Sequence, residues 1–167
     1  SEKALRANSK DGVNKTILLQ TEFRKAISLA IDRSEYAAKC TTSSKAGFGI
    51  FSPVHYYDVA HGKAYRDADA AKETLCKVYG IDPSKYDNLN DAQTAITGYD
   101  LKQARALVDS AYDKALAAGD IKATDKVVLV VGTADDTSSS FLRIFDFLET
   151  ALKNMVKWRL MICGDCT

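Results

Sequence analysis

Phe23-Arg24-Lys25-Ala26-Ile27-Ser28-Leu29-Ala30-Ile31-Asp32-Arg33 is the stretch whose reading decides the fold. Phe23, Ala26, Ile27, Ala30 and Ile31 fall at i, i+3, i+4, i+7 and i+8, one apolar face at the helical period. Arg24, Lys25 and Ser28 occupy the other side. The pattern predicts an amphipathic helix that packs on a core. Thr21 is the expected cap of its start, and Ser34 the expected cap of a second helix through Glu35-Tyr36-Ala37-Ala38.

Upstream, residues 1–12 read as a polar, helix-compatible lead-in ending at Gly12, and Lys15–Leu19 leaves strand and helix approach both open. Downstream of Cys40 the pattern changes. Thr41-Thr42-Ser43-Ser44-Lys45-Ala46-Gly47 reads as loop, and Gly47-Phe48-Gly49-Ile50-Phe51-Ser52-Pro53 sets aromatics among glycines. That segment, continuing to His55-Tyr56-Tyr57, predicts an irregular cover over the core. Asp67–Tyr79 predicts a helix with Ala68, Ala71, Leu75 and Val78 facing inward and Gly80 as its stop. Weakly helical polar segments follow a turn at Ile81-Asp82-Pro83-Ser84 and run to Ile96. A long helix is then capped by Asp100, presents Leu101, Ala104, Val108, Ala111 and Ala115 inward with support from Leu107, and ends at Gly119.

The last third carries the sheet. Val127-Val128-Leu129-Val130-Val131 is a β-branched run of the kind covered on both faces. Thr133–Ser140 is polar and suited to capping the next helix, whose apolar stripe is Phe141, Ile144, Phe145, Leu148 and Leu152. Val156–Ile162 alternates as a strand does. Strand, helix and strand make a βαβ unit, expected to cross over right-handed. The predicted class is therefore α/β, with α+β the neighbouring alternative and helices in excess. A length of 167 residues predicts a single domain over 1–167.

Composition excludes several function classes. Lys+Arg of 23 against Asp+Glu of 22 leaves no basic excess for nucleic acid and no acidic tail. No apolar run approaches the roughly 20 residues of a membrane helix. The chain opens without Met and without a basic-then-apolar leader, which leaves the compartment open. Four cysteines, at 40, 76, 163 and 166, allow three pairings and are too sparse for a disulfide-built scaffold.

Chemistry-bearing motifs are few. Cys163-Gly164-Asp165-Cys166 is a CxxC, but a redox pair needs its first thiol at a helix start, and a structural zinc site needs a second, similarly spaced pair. His55 and His61 lack the i, i+4 spacing of a helical metal pair, and no GxSxG, P-loop or GxGxxG accompanies them. Asp135-Asp136 reads as helix capping more readily than metal ligation. No enzyme activity, metal or cofactor is expected. Phe48, Phe51, Tyr56 and Tyr57 alone have the composition of a binding surface, their competing role being to seal the core beneath a loop.

Four stretches carry a family resemblance. Phe23–Arg33 resembles the "VRxAIxxAIDR" signature of extracellular solute-binding proteins of family 5, the oligopeptide-binding components of ABC peptide importers. Ser34–Pro53 resembles the following helix and Gly-rich loop ending in proline, and Tyr99–Val108 the "YDxxKAxxLL" helix. Lys126–Met155 is similar to the strand and helix after it. The wording of Ile27–Cys40 looks most like oligopeptide binders of Gram-positive bacteria. The chain departs from the pattern in length and in lacking the usual Gly after the last helix.

The resemblance implies a periplasmic-binding-protein-like fold, the chain being part of the C-terminal lobe of a larger two-lobed protein. It further implies an extracellular lipoprotein, held by a lipid anchor absent from this chain, that closes around a peptide and delivers it to ABC permease subunits. Its peptide would be held largely through backbone hydrogen bonds. The family's best-known ligand contacts in this lobe lie beyond Thr167, so none transfers. Phe48, Phe51, His55 and Tyr56 are the residues expected to face the cleft. Arg24, Asp32 and Arg33 are expected to serve structure, and the lone lobe to bind weakly. Two rival readings are an independent interaction domain using the Phe48–Tyr57 loop, and a hydrolase or metal enzyme built on Asp135, Asp136, His55 and His61.

Overall fold

Helix α1, Thr21–Ala30, buries Phe23, Ala26 and Ala30 as the periodicity predicts, with Ile27 half-buried at the rim. The structure, a computed structural model, describes residues 3, 13–14, 16–49, 51–131, 138–156 and 160–164. Helix α1 does not run to Arg33. The chain turns extended at Ile31 and Asp32, and α2 begins at Arg33 and continues to Cys40. Both predicted caps move by a residue or two. Thr21 is the first helical residue behind Gln20, which makes no side-chain cap, and its hydroxyl accepts from Arg24 at 3.0 Å instead. Ser34 lies inside α2, whose start is held by Asp32: one carboxylate oxygen accepts from the Ser34 N–H at 2.9 Å and the Glu35 N–H at 3.0 Å. A carboxylate at that place also complements the helix dipole, which a hydroxyl cannot do.

Ahead of α1, strand β1 (Val13–Asn14) leads into a 3-10 turn at Thr16–Leu19, the open question of that segment. Arg24 reaches back to the carbonyls of Leu18 and Leu19 at 2.6 and 2.9 Å, occupying acceptors that the short turn leaves over.

The chain divides into two compact units, the first made of Ser1–Ser44 with Tyr99–Thr167 and the second of Lys45–Gly98. In the first, α5 (Leu101–Ala117) packs along α1, and alanines on both sides (Ala26 and Ala30 against Ala104, Ala111 and Ala115) permit close approach. Asp100 caps α5 by accepting from the Gln103 N–H at 2.8 Å, and Gly119 ends the helix in the left-handed region at φ 70°. Strand β4 (Lys126–Val131) lies between β1 and β5 (Leu160–Gly164), parallel to both, giving the order β1-β4-β5. Val127, Val128 and Leu129 are all buried. Successive strand residues point to opposite faces, so β4 is covered on both, as its unbroken apolar run predicts. Helix α6, Ser139–Met155, joins β4 to β5 and is capped by Ser138, whose hydroxyl accepts from the Phe141 N–H at 3.2 Å. Of the strand expected over Val156–Ile162, Val156 is the C-cap of α6, residues 157–159 lie outside the described residues, and β5 carries Leu160–Ile162.

The core of this unit gathers Phe23, Ile17, Val108, Val127 and Met155, none more than 1% exposed. Each large side chain of that kind contributes about 1.5–3 kcal/mol of burial. The apolar stripe of α6 is sealed only at its C-terminal end: Leu152 and Met155 are buried, whereas Phe141, Ile144, Phe145 and Leu148 remain half-buried.

The second unit is smaller. Hairpin strands β2 (Tyr56–Asp58) and β3 (Lys63–Ala64) pair antiparallel, Tyr56 opposite Ala64, with an irregular register beyond. A 3-10 turn at Tyr65–Asp67 leads to α3 (Asp69–Val78), and α4 (Leu89–Thr94) follows a further 3-10 turn at Pro83–Lys85. Cys76, Ala92 and Ile96 form the core, with Phe48, Leu75, Tyr79 and Ile81 packed around them. Val78, expected inside, is 70% exposed. Cys76 is the buried residue of α3, with Ala71, Leu75 and Tyr79 half-buried beside it, so a cysteine takes the place read for the valine. Overall the chain is a mixed fold of helices with a small parallel sheet and one hairpin, of α/β or α+β class.

Candidate functional site

The residues expected to bind lie in the second unit, and the structure divides them. Phe48 turns to the core, its ring edge-on to Tyr79 with centroids 5.5 Å apart. Phe51, His55 and Tyr56 stay at the surface. Phe51 stacks on Tyr65 at 5.4 Å and 26°, and lies 6.1 Å from the His55 ring; Tyr57 leans on Tyr65 at 5.6 Å. The hairpin creates this group, because the Tyr65 N–H donates to the His55 carbonyl at 2.9 Å and closes the chain upon itself. The turn between the strands uses Gly62 at φ 64°, while Asp58 accepts from the His61 N–H at 3.2 Å.

The result is an exposed aromatic platform on which Phe51 and Tyr65 are 45% and 47% exposed. Flat apolar bodies with phenolic tips suit apolar side chains and backbone amides of a bound chain. Tyr65 belongs to this surface and was not among the residues expected to bind. Its position nine residues past Tyr56 gave no period to follow; only the hairpin brings it beside Phe51.

Each histidine has a different neighbour. His55 Nδ1 is 2.8 Å from the Ser52 hydroxyl, an exposed pair. His61 Nδ1 is 2.8 Å from Asp58. The carboxylate therefore engages His61 and not His55, and no serine–histidine–carboxylate relay forms among the described residues. Nor do three His, Cys, Asp or Glu side chains come together to hold a metal among them. Asp135 and Asp136 lie outside the described residues, as do Asp165 and Cys166 of the CxxC. Cys163 is on strand β5, not at a helix start. Cys40 and Cys76 are free and buried, and burial pushes the Cys40 thiol up, away from its reactive form.

Arg24 and Asp32 have the structural roles given above, and Arg33 donates to the Ser28 hydroxyl at 3.0 Å. Among the described residues, no helix is long and apolar enough to cross a membrane.

A second concavity lies in the first unit. A cleft of about 340 Å³ runs between α2 and α6, with Asp32, Glu35, Lys39 and Tyr99 on one side and Arg143, Asp146, Phe147 and Asn154 on the other. Phe147 is wedged edge-on against Tyr36 at 5.5 Å. Glu35 and Lys39 pair at 2.6 Å, which holds the Lys39 ammonium up in its charged form, and Asp32 is committed to its cap. Arg143 and Asp146, one turn apart on α6, make no side-chain hydrogen bond or ion pair among the described residues. Sequence periodicity marks these two as the solvated face of α6 and says nothing of α2 lying opposite. No protein-family model, no curated protein and no solved structure matches this chain.

Proposed function

We propose that this chain is part of the C-terminal lobe of an extracellular, lipid-anchored oligopeptide-binding protein of a Gram-positive ABC importer, with a periplasmic-binding-protein-like fold. The observation that carries the reading is the ordered run of four resembling segments, Phe23–Arg33, Ser34–Pro53, Tyr99–Val108 and Lys126–Met155. It is supported by the platform of Phe51, Tyr57 and Tyr65, a surface suited to the side chains of an extended peptide; Tyr56, exposed on the same strand, makes no ring contact with it among the described residues. Support also comes from the half-buried stripe of α6, whose Phe141, Ile144, Phe145 and Leu148 have room for further packing. The function is capture of peptide and presentation to permease subunits, without a catalytic step.

The test is thermal unfolding with and without a mixed library of tripeptides to pentapeptides, on the native chain and on Phe51→Ala. A ligand that binds only the folded state at a hundred times its Kd adds about 2.7 kcal/mol. The expected result is a peptide-dependent rise in Tm that Phe51→Ala abolishes. A melt unmoved by peptide at about millimolar concentration overturns peptide contact at this surface.

A second reading, an independent interaction domain using the Phe48–Tyr57 loop, is favoured by Val54 and Val59, which stand 70% and 79% exposed beside the tyrosines. It predicts no peptide response and a core complete in itself, against which the half-buried stripe of α6 weighs.

A further inference from the structure

The cleft between α2 and α6 draws its lining from the first unit alone, and its chemistry differs from that of the aromatic platform. Its volume, about 340 Å³, is at the small end for ligand sites. Four of its charged groups sort into committed and uncommitted. Glu35 and Lys39 neutralise each other, whereas Arg143 and Asp146 make no side-chain hydrogen bond or ion pair among the described residues, the Cys40 thiol being the group both act on electrostatically. Spacing of i, i+3 sets these two charges side by side on one face of α6. Beside them lie Phe147, fixed by Tyr36, and the methyls of Ala30 and Ala151. One wall is thus a cation next to an anion, with an apolar surface adjoining.

We propose that this cleft binds a free α-amino acid with an apolar side chain. Such a molecule carries a carboxylate and an ammonium on a single carbon, matching two opposite charges one turn apart. The Arg143 guanidinium takes the carboxylate through paired N–H donors, and the Asp146 carboxylate accepts from the ammonium. The amino acid's side chain lies along Phe147 and the two alanines. A peptide fits less well, since its two charged ends are separated by the intervening backbone. This inference goes beyond the peptide-binding reading and does not rest on it.

The experiment is calorimetric titration of the native chain with L-phenylalanine and L-leucine, alongside N-acetyl-L-phenylalanine amide, in which both charges are masked. Saturable binding of the free amino acids, with the masked compound at least tenfold weaker, is expected. Arg143→Gln and Asp146→Asn each weaken L-phenylalanine at least tenfold. Both substituted positions are exposed, and the masked-ligand comparison needs no variant at all. No heat from either amino acid at about 10 mM, ample for a site of about millimolar Kd, overturns the proposal. Equal binding of the masked compound, or full retention of binding in both α6 variants, overturns it as well.

Discussion

Replacing Asp32 with alanine removes the acceptor that starts α2. The carboxylate receives two backbone N–H donors, from Ser34 and Glu35 at 2.9 and 3.0 Å, and α2 has only Arg33–Cys40 in which to recover them. Loss of a side-chain cap costs about 1 kcal/mol, and loss of a negative charge at a helix start about 0.3–1 kcal/mol more. Asp32→Ala should therefore destabilise the chain by about 1–2 kcal/mol. Asp32→Asn retains the acceptor and discards the charge, so it should cost only the smaller part. Urea unfolding followed by circular dichroism separates the two, read as a shift in midpoint at unchanged slope. Asp32→Ala within about 0.3 kcal/mol of the native chain, or Asp32→Asn as harmful as alanine, would refute the capping argument.

In the second unit, Gly98→Ala meets two obstacles at once. The backbone stands at φ 61°, and the new methyl would sit 3.0 Å from the Phe48 ring, so a loss of about 1–3 kcal/mol is expected by urea unfolding and unchanged stability would refute it. A hydrogen bond from Lys114 holds the Glu22 carboxyl below the usual glutamate range. Its contribution is present above that range and lost as pH falls through the depressed value, so Glu22→Gln should flatten the decline in stability on acidification. A decline identical in the variant and the native chain would count against the pair. Cys40, buried and with its thiol pushed up, should resist a thiol reagent near neutral pH until the chain is denatured, as residue-resolved mass spectrometry can follow. Labelling of Cys40 at the rate of a free thiol would contradict its burial.

Elements whose signals are local were legible from sequence. The stripe Phe23, Ala26 and Ala30, the Asp100 cap, the Gly80 and Gly119 stops and the unbroken run of β4 each depend on neighbours a few residues away. Errors arose where two local solutions compete. Thr21 and Ser34 are good caps in isolation, but a break at Ile31 and Asp32 let a carboxylate take the second role. Val78 outranks Cys76 by hydropathy, yet the turn of α3 that packs on Ala92 and Ile96 carries the cysteine. The hairpin Tyr56–Ala64 was invisible because its strands span three and two residues, too short for alternation to register. The two concave or aromatic surfaces were the least legible. Joining Phe51 to Tyr65, or Asp32 to Arg143, requires knowing which distant segments meet, and no period within a single element reports that.

The second unit interrupts the first. Its residues, Lys45–Gly98, are continuous in the chain, whereas α1 and α5, the helices that pack most extensively in the first unit, stand on either side of that interruption. During folding the contacts of Lys45–Gly98 are all reachable without closing a long loop, so they can form early. The pairing of α1 with α5 must wait for closure across the whole insert, at an entropic cost that grows with the length of flexible chain enclosed. An insert already collapsed leaves less flexible chain to close. Substitutions that loosen Cys76, Ala92 or Ile96 should therefore slow assembly of a core in which none of the three takes part, a kinetic debt carried from one unit to the other through connectivity alone.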